Sequence, residues 1–148
     1  MQTYIYQANA HWVLHERGAV KCEDIGQTLD FSIPVEFGGE PAFWTPEHLL
    51  LASVASCYVA TFRAMAEKSS LEFHAVDVTV HGAIEKEEGR LRFTRVTLSP
   101  AISIEKESDR ERTVRLAEKA EQGCLIARSL SAAFTLQPQI LVESPVAA

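Results

Sequence analysis

The chain has 148 residues, enough for one domain with a hydrophobic core and too few for two ordinary domains. Its residues are 47% hydrophobic and 23% charged, which is the composition of a soluble globular protein. The net charge of −6 provides no basic surface for nucleic acid or for an anionic membrane. We therefore expect one domain over residues 1–148 and no nucleic-acid partner.

The N-terminal part of the chain predicts a small antiparallel sheet. Residues 3–14 are rich in the aromatic and β-branched side chains that strands favour. Residues 19–23 predict a short return strand, and residues 28–33 alternate apolar with polar side chains. The segment 34–42, which contains two glycines and two prolines, predicts a loop that leads into the next element.

Residues 43–70 predict one long, buried helix. Thr45 suits the N-cap, and Pro46 suits the first helical position because its fixed φ is already helical. Glu47 follows in the first turn, where a carboxylate favours the positive end of the helix dipole. The next 17 positions, from Leu49 to Met65, carry almost only apolar or small side chains. A helix with this composition is typically surrounded by protein.

This helix is expected to be a core element and not a membrane span. It carries Glu47, His48 and Arg63, and its apolar run falls short of the roughly 20 strongly apolar residues that a span needs. The N-terminus lacks the basic start and apolar run of a signal peptide. We therefore expect a cytoplasmic protein with no membrane partner.

The remainder of the chain predicts a hairpin, two helices and a closing strand. Strands over residues 76–82 and 91–98 flank a polar turn, and Pro100 is expected to break or bulge the second strand before residues 101–104. A helix from a Ser108–Glu111 capping box to about residue 122, with Gly123 at C′, precedes a short helix to about residue 132. A strand follows over residues 134–142 and a tail over 144–148. The order βββ–α–ββ–α–α–β predicts an α+β fold with sheets packed around the central helix.

Three widely spaced cysteines, Cys22, Cys57 and Cys124, are the residues most able to carry chemistry. Their odd number and spacing do not form a disulfide framework, and neither they nor the five histidines show metal-ligand spacing. Cys57 in an apolar helix is by itself more often inert, and a thiolate there needs a separate cation. Cys124 follows a glycine at a helix start, where amides favour a thiolate, although a core role explains it equally well. Cys22 is best explained as a strand-packing residue.

Two segments resemble one known family. Thr45-Pro46-Glu47-His48-Leu49-Leu50, followed by the run Ala52 to Cys57, resembles the TNPEELL…ALASCF signature of the OsmC/Ohr family of osmotically inducible and organic hydroperoxide resistance proteins. The spacing Glu118-x-x-Glu121-x-x-Cys124 resembles the region of that family's second cysteine. The order of elements resembles the family over nearly the whole chain.

The resemblance implies an OsmC-like fold, with antiparallel sheets wrapped around the central helix, in an intertwined two-fold homodimer with active sites at the subunit interface. It implies a thiol-dependent peroxidase that reduces organic hydroperoxides without a metal or organic cofactor. Cys57 would be the peroxidatic cysteine and Cys124 the resolving one, joined in a disulfide that an external dithiol reduces. Arg17 would pair with Glu47 and stabilise the Cys57 thiolate, as a cation within about 4–6 Å does.

The sequence departs from the family pattern at Phe43, Trp44 and His48, and Cys124 is not followed by proline. The Phe43–Trp44 pair either lines a pocket for bulky hydroperoxides or clamps the helix start, and we favour the clamp. The alternative function is a small-ligand-binding or redox-sensing protein without efficient peroxidase turnover. A purely structural dimer is a third interpretation.

Overall fold

The computed structural model describes residues 1–144 of the chain. Its contacts divide the chain into two compact units, Met1–Leu50 and Leu51–Ala148. The four residues 145–148, which contain most of the predicted tail, lie outside the described part of the chain.

The first unit contains a three-stranded antiparallel sheet in the order β1-β2-β3. The strands are β1 (Asn9–Leu14), β2 (Arg17–Cys22) and β3 (Ile25–Ser32), and a 3₁₀ turn follows at Val35–Phe37. This sheet confirms the predicted N-terminal topology.

The first strand is shorter than predicted, because the segment before Asn9 is held by other contacts. The Cys22 thiol donates a hydrogen bond to the Gln7 carbonyl oxygen at 3.1 Å. The Glu23 backbone N–H donates to Gln7 Oε1 at 3.4 Å. Residue 7 is thus attached to the β2–β3 turn through its own side chain and carbonyl group, without being part of the ladder.

The long helix α1 (Pro46–Lys68) begins where the sequence predicts. The His48 backbone N–H donates to Thr45 Oγ1 at 3.1 Å, and the Leu49 N–H donates to the Thr45 carbonyl at 2.9 Å. The side chain therefore satisfies one of the first-turn amides that have no helical partner, as an N-cap residue should. Thr45 is itself buried.

Burial of α1 differs from the prediction of a helix enclosed on all sides. Its fully buried residues form one stripe at four-residue intervals: Val54, Tyr58, Phe62 and Ala66. Only 22% of its most apolar 18-residue window is buried. By length and a mean hydropathy of 1.5 the helix does reach the threshold for a membrane span, contrary to our count of its apolar run. A single such helix is weak evidence for a span, since core helices of soluble proteins pass the same test.

The second unit is organised around a mixed sheet with β5 at its centre. The long hairpin of β4 (Ala75–Glu87) and β5 (Arg90–Ile104) is antiparallel. The closing strand is split into β6 (Ala133–Leu136) and β7 (Gln139–Val142), which both pair with β5 in parallel. The predicted α+β fold is confirmed, but its sheets are not all antiparallel.

Pro100 does not break β5, contrary to prediction. It pairs with Val78 of β4, and on the other side of β5 it falls between the segments paired with β6 and with β7. Proline lacks an N–H to donate, and this junction is a place where a sheet tolerates that loss. Pro138 occupies the matching interruption between β6 and β7.

Two helices follow the hairpin: α2 (Arg110–Gly123), which packs on β5 and β7, and α3 (Leu125–Arg128), which packs on α2. The predicted Ser108–Glu111 capping box is wrong, because Ser108 lies in a 3₁₀ turn and Asp109 is the N-cap without a side-chain bond. Gly123 is the last residue of α2 and not its C′ residue. The fully buried core of this unit combines side chains from α1, β5 and α2, including Tyr58, Phe62, Leu98, Ile102, Ile104 and Ala117.

Candidate active site

The second unit brings the two predicted active-site cysteines together. Cys57 of α1 is half-buried, and Cys124 is completely buried between α2 and α3. The two thiols are close enough to influence each other's ionisation, and no disulfide joins them. Cys124 Sγ also lies 4.0 Å from the Val54 carbonyl oxygen, one turn before Cys57. The fold thus places two sulfurs that are 67 positions apart in the sequence side by side.

Cys124 reaches this position because one extended residue separates two helices. It is the C-cap of α2 and the N-cap of α3, with φ −69° and ψ 113°. Its N–H donates to the Glu121 carbonyl at 3.3 Å, and its carbonyl accepts from the Arg128 N–H at 3.0 Å. The chain therefore turns at Cys124 without losing backbone hydrogen bonds, and the first-turn amides of α3 are directed at the site.

The surroundings of the two sulfurs move their pKa values in opposite directions. Burial is the largest influence on Cys57 and opposes the thiolate, but four hydrogen bonds outweigh it and lower the pKa of Cys57. The donors are the Ile126 backbone, the Cys124 thiol, the Thr61 hydroxyl and the Leu125 backbone.

Cys124 shows the opposite effect. Burial is the largest influence and raises the pKa of Cys124, and a hydrogen bond from the Ala127 backbone opposes it. The neighbouring Cys57 raises the pKa of Cys124 further by hydrogen bonding and by its charge, and a smaller hydrogen bond from the Ile126 backbone lowers it. When one proton leaves the pair, the thiolate therefore forms on Cys57, and Cys124 keeps its proton as the donor.

Thr61 and Tyr58 support the thiol pair from α1. Thr61 Oγ1 lies 4.0 Å from Cys57 Sγ and donates to the Cys57 carbonyl oxygen at 2.8 Å. The buried Tyr58 hydroxyl donates to the Ala117 carbonyl at 2.9 Å and so ties α1 to α2. Burial, with the nearby Glu121 and Cys124 charges, raises the pKa of Tyr58 well above its ordinary value and keeps the phenol neutral.

In the first unit, Arg17 pairs with Glu40 and not with Glu47. Arg17 Nε lies 3.3 Å from Glu40 Oε2, and the guanidinium lies 5.4 Å from the centre of the Phe43 ring. The first contact is an ion pair without hydrogen-bond geometry, since Nε has no hydrogen-bond partner within the described chain. The Arg17–Glu47 pair that the family resemblance implies is therefore absent from the described residues.

Glu47 is left with an unsatisfied oxygen. Its Oε2 is buried and has no hydrogen-bond partner in residues 1–144. A buried carboxylate oxygen without a donor is costly, and it marks a position where an additional donor would stabilise the site.

The helix entrance fits the clamp interpretation of Phe43 and Trp44. Trp44 lies edge-on to the His48 ring at 6.3 Å, and its carbonyl accepts from the Ser32 N–H at 2.8 Å. Thr45 Oγ1 and His48 Nδ1 share a hydrogen bond of 2.8 Å. A cavity of about 130 Å³ lies beside Phe43 and is also lined by Val13, Leu14 and Arg17.

Sequence reasoning missed Glu40 and Thr61. Glu40 lies in a loop whose return to β3 depends on tertiary contacts, such as the Glu40 N–H donating to Ser32 Oγ at 2.9 Å. Thr61 was detectable in principle, because position i+4 from Cys57 lies on the same helix face. The described residues contain no cluster of three or more His, Cys, Asp or Glu side chains that could hold a metal ion.

A comparison with protein families matches residues 38–139 to the model described as OsmC-like protein. The chain belongs to the OsmC-like family. A Bacillus subtilis relative of this OsmC-like chain, the uncharacterised protein YmaD, is 24% identical over 146 residues, which are 97% of each chain.

Solved structures share the OsmC-like fold. An OsmC-like protein of unknown function from Vibrio cholerae aligns with a TM-score of 0.82 and 17% identity, covering 92% of this chain and 99% of its own. An organic hydroperoxide resistance protein from Legionella pneumophila aligns with a TM-score of 0.76 and 24% identity over 96% of this chain and 100% of its own. The organic hydroperoxide resistance protein OhrB of Bacillus subtilis gives 0.68 and 19%, over 93% and 98%.

Proposed function

We propose that the protein is a thiol-dependent peroxidase that reduces organic hydroperoxides. The observation that carries the proposal is the contact between a thiol with a lowered pKa, Cys57, and a fully buried thiol with a raised pKa, Cys124. Membership of the OsmC-like family supports it, since solved structures of this fold include organic hydroperoxide resistance proteins.

The reaction has two thiol steps. The Cys57 thiolate attacks the distal oxygen of the hydroperoxide, the O–O bond breaks, and the alkoxide takes a proton and leaves as an alcohol. Sulfur is oxidised to a sulfenic acid while the peroxide is reduced. The Cys124 sulfur then attacks the sulfenic acid sulfur, the hydroxyl group leaves with the Cys124 proton as water, and a Cys57–Cys124 disulfide forms.

The opposite pKa shifts match these two roles. A peroxidatic cysteine must be ionised before it meets the substrate, because the thiolate is the nucleophile. A resolving cysteine that keeps its proton can deliver it to the departing hydroxyl group. An external dithiol would then reduce the disulfide by exchange and return both thiols.

Arg17 and Glu47 are proposed to complete the site in the assembled homodimer. Within one chain the unsatisfied Arg17 Nε and Glu47 Oε2 are complementary groups that lack hydrogen bonds. Pairing of Arg17 with Glu47 would satisfy both groups at the expense of the Glu40 ion pair. We propose a cytoplasmic location, where a dithiol pool is available.

A hydroperoxide consumption assay tests the function. Purified protein with dithiothreitol as reductant should consume cumene hydroperoxide, and Cys57→Ser should reduce the rate at least about a hundredfold, because a serine hydroxyl does not ionise at neutral pH. In a separate reaction without dithiothreitol, Cys124→Ser should consume one equivalent of hydroperoxide and stop at a sulfenic acid, which a dimedone-type reagent traps on Cys57. Cys22→Ser is the matched control and should leave turnover unchanged.

Equal, slow consumption by wild type and Cys57→Ser would refute the peroxidase. That outcome would favour the ligand-binding or redox-sensing alternative, in which the thiol pair is oxidised slowly. A disulfide map of peroxide-treated protein adds a separate check, since a bond involving Cys22 in place of Cys124 would contradict the assigned resolving residue.

A further inference from the structure

Thr61 lies one helical turn after Cys57 on α1, and its hydroxyl lies near both the carbonyl oxygen and the sulfur of Cys57. Thr61 Oγ1 is 2.8 Å from the Cys57 carbonyl oxygen, to which it donates, and 4.0 Å from the Cys57 sulfur. Thr61 is half-buried, so bulk water competes only in part for its proton. A rotation about the Cβ–Oγ1 bond, with a small adjustment of the two side chains, can therefore direct the hydroxyl proton at either the carbonyl oxygen or the sulfur.

We propose that Thr61 is a positioning residue for the Cys57 thiolate, whose hydroxyl bonds the Cys57 carbonyl while the thiol is protonated and turns to the sulfur when the thiol ionises. The proposal rests on the thiol site of the proposed function, but not on the peroxide chemistry. It deepens that function by naming the donor that α1 itself supplies to the nucleophile.

Helix geometry makes this rotation inexpensive. The Cys57 carbonyl already accepts the backbone N–H of Thr61 as its regular helical hydrogen bond, since both residues lie inside α1. It therefore keeps a partner when the hydroxyl leaves. A thiolate is a stronger acceptor than a neutral carbonyl, because hydrogen bonds to a charged atom are stronger than those between neutral groups.

The other groups that face the sulfur come from the α2–α3 segment. They are the Cys124 thiol and the backbone N–H groups of Leu125 and Ile126. Beyond them, the buried Tyr58 phenol has both the Cys124 thiol and the Glu121 carboxylate as neighbours. In variants that lack the Cys124 thiol, Thr61 remains as a side-chain donor beside the Cys57 sulfur.

The test compares Cys57 alkylation by iodoacetamide as a function of pH, with the modified peptide quantified by mass spectrometry. Thr61→Val keeps the shape and removes the hydroxyl, so the titration midpoint should move upward and the rate at pH 7 should fall about three- to tenfold. Thr61→Ser keeps the hydroxyl and should stay within about twofold of wild type. Thr61→Ala, a second variant without the hydroxyl, should shift in the same direction as Thr61→Val.

Thr113→Val is the matched control, because the Thr113 hydroxyl donates to the Asp109 carbonyl at 2.7 Å, four residues earlier on α2. It removes the same kind of bond and should leave the Cys57 profile unchanged. A wild-type profile for Thr61→Val, or an equal shift in Thr113→Val, would overturn the proposal. No peroxide enters the experiment, so its result is independent of whether hydroperoxide turnover is observed.

Discussion

Cys57 is half-buried and surrounded by donors, whereas Cys124 has no exposed surface and faces the other sulfur. Burial raises the pKa of both thiols, because a low-dielectric environment disfavours the charged form. The number of donors then decides which sulfur ionises. Hydrogen bonds from its neighbours, two of them backbone amides of the four-residue helix α3, make Cys57 the more acidic thiol.

The pH dependence of alkylation follows from these directions. The thiolate reacts, and its population rises with pH through the pKa of the folded protein. Because the pKa of Cys57 is lowered from that of a free thiol and the pKa of Cys124 is raised, Cys57 should reach half-maximal reactivity at a lower pH than Cys124. Iodoacetamide labelling of the reduced protein between pH 5 and 10, with peptide mapping, measures both midpoints.

Unfolded protein in urea is the control for this prediction. Its two midpoints should converge, because the burial and donors that separate them are lost on unfolding. A folded-state Cys57 midpoint at or above the unfolded value would contradict the assignment of Cys57 as the ionised member of the pair.

At the scale of single residues, the sequence predicts some side-chain contacts and cannot predict others, and the reason is physical. The pairing of Cys57 with Cys124 was accessible through family resemblance, because two cysteine motifs were each preceded by recognisable residues. The Arg17–Glu40 pair was not, since it depends on how a loop returns to the sheet. Long-range approach of side chains depends on tertiary packing, on which local spacing carries no information.

At the scale of helices and strands, the sequence predicts a feature correctly when the residues that specify it lie within the same element. The cap and first turn of α1 follow from Thr45 and Pro46, and the structure confirms them. The capping box at Ser108 failed, because a Ser-x-x-Glu pattern is also compatible with the 3₁₀ turn that precedes α2. The prediction that Pro100 breaks or bulges β5 was wrong, because whether a strand accommodates a proline depends on how its neighbouring strands pair, which local sequence does not reveal.

The loop before α1 depends on Gly39, and this gives a stability prediction. A Cβ at Gly39 would lie 1.7 Å from the Ile33 carbonyl oxygen and 2.9 Å from Ser32 Oγ. Backbone atoms do not move aside easily, so Gly39→Ala should lower the free energy of unfolding by about 3 kcal/mol or more. Urea denaturation followed by circular dichroism measures the change.

Gly26→Ala is the matched control for the loop. A Cβ at Gly26 meets no atom within 4 Å, so this variant should be neutral or slightly stabilising. Because Ser32 Oγ accepts the Glu40 N–H, Gly39→Ala should also disturb the Arg17–Glu40 pair. Equal stability of the two variants would show that the loop is not held as the structure describes.

At the scale of the whole molecule, the informative feature is the apolar surface that a single chain leaves exposed to solvent. All six residues of β1 are exposed, and they include Trp12 at 74% and Val13 at 48% exposure. β1 also has an unpaired edge, because the sheet order is β1-β2-β3. In the second unit α1 leaves most of its apolar window uncovered. Exposed apolar surfaces of this kind are typical of interaction sites, and we propose that a second copy of the chain covers them.

A homodimer should therefore form in solution at micromolar concentration, with twice the 16.4 kDa mass of the chain. Trp12→Glu places a charge on the most exposed aromatic side chain of β1 and should raise the dimer dissociation constant at least about tenfold, since tryptophans are frequent interface hot spots. Sedimentation velocity over a concentration series measures both quantities. Leu91→Glu, at a 57% exposed apolar position on β5, is the control and should leave the dimer intact. A wild-type protein that remains monomeric at high concentration would refute the dimer, and equal dissociation of both variants would show that β1 is not its specific contact surface.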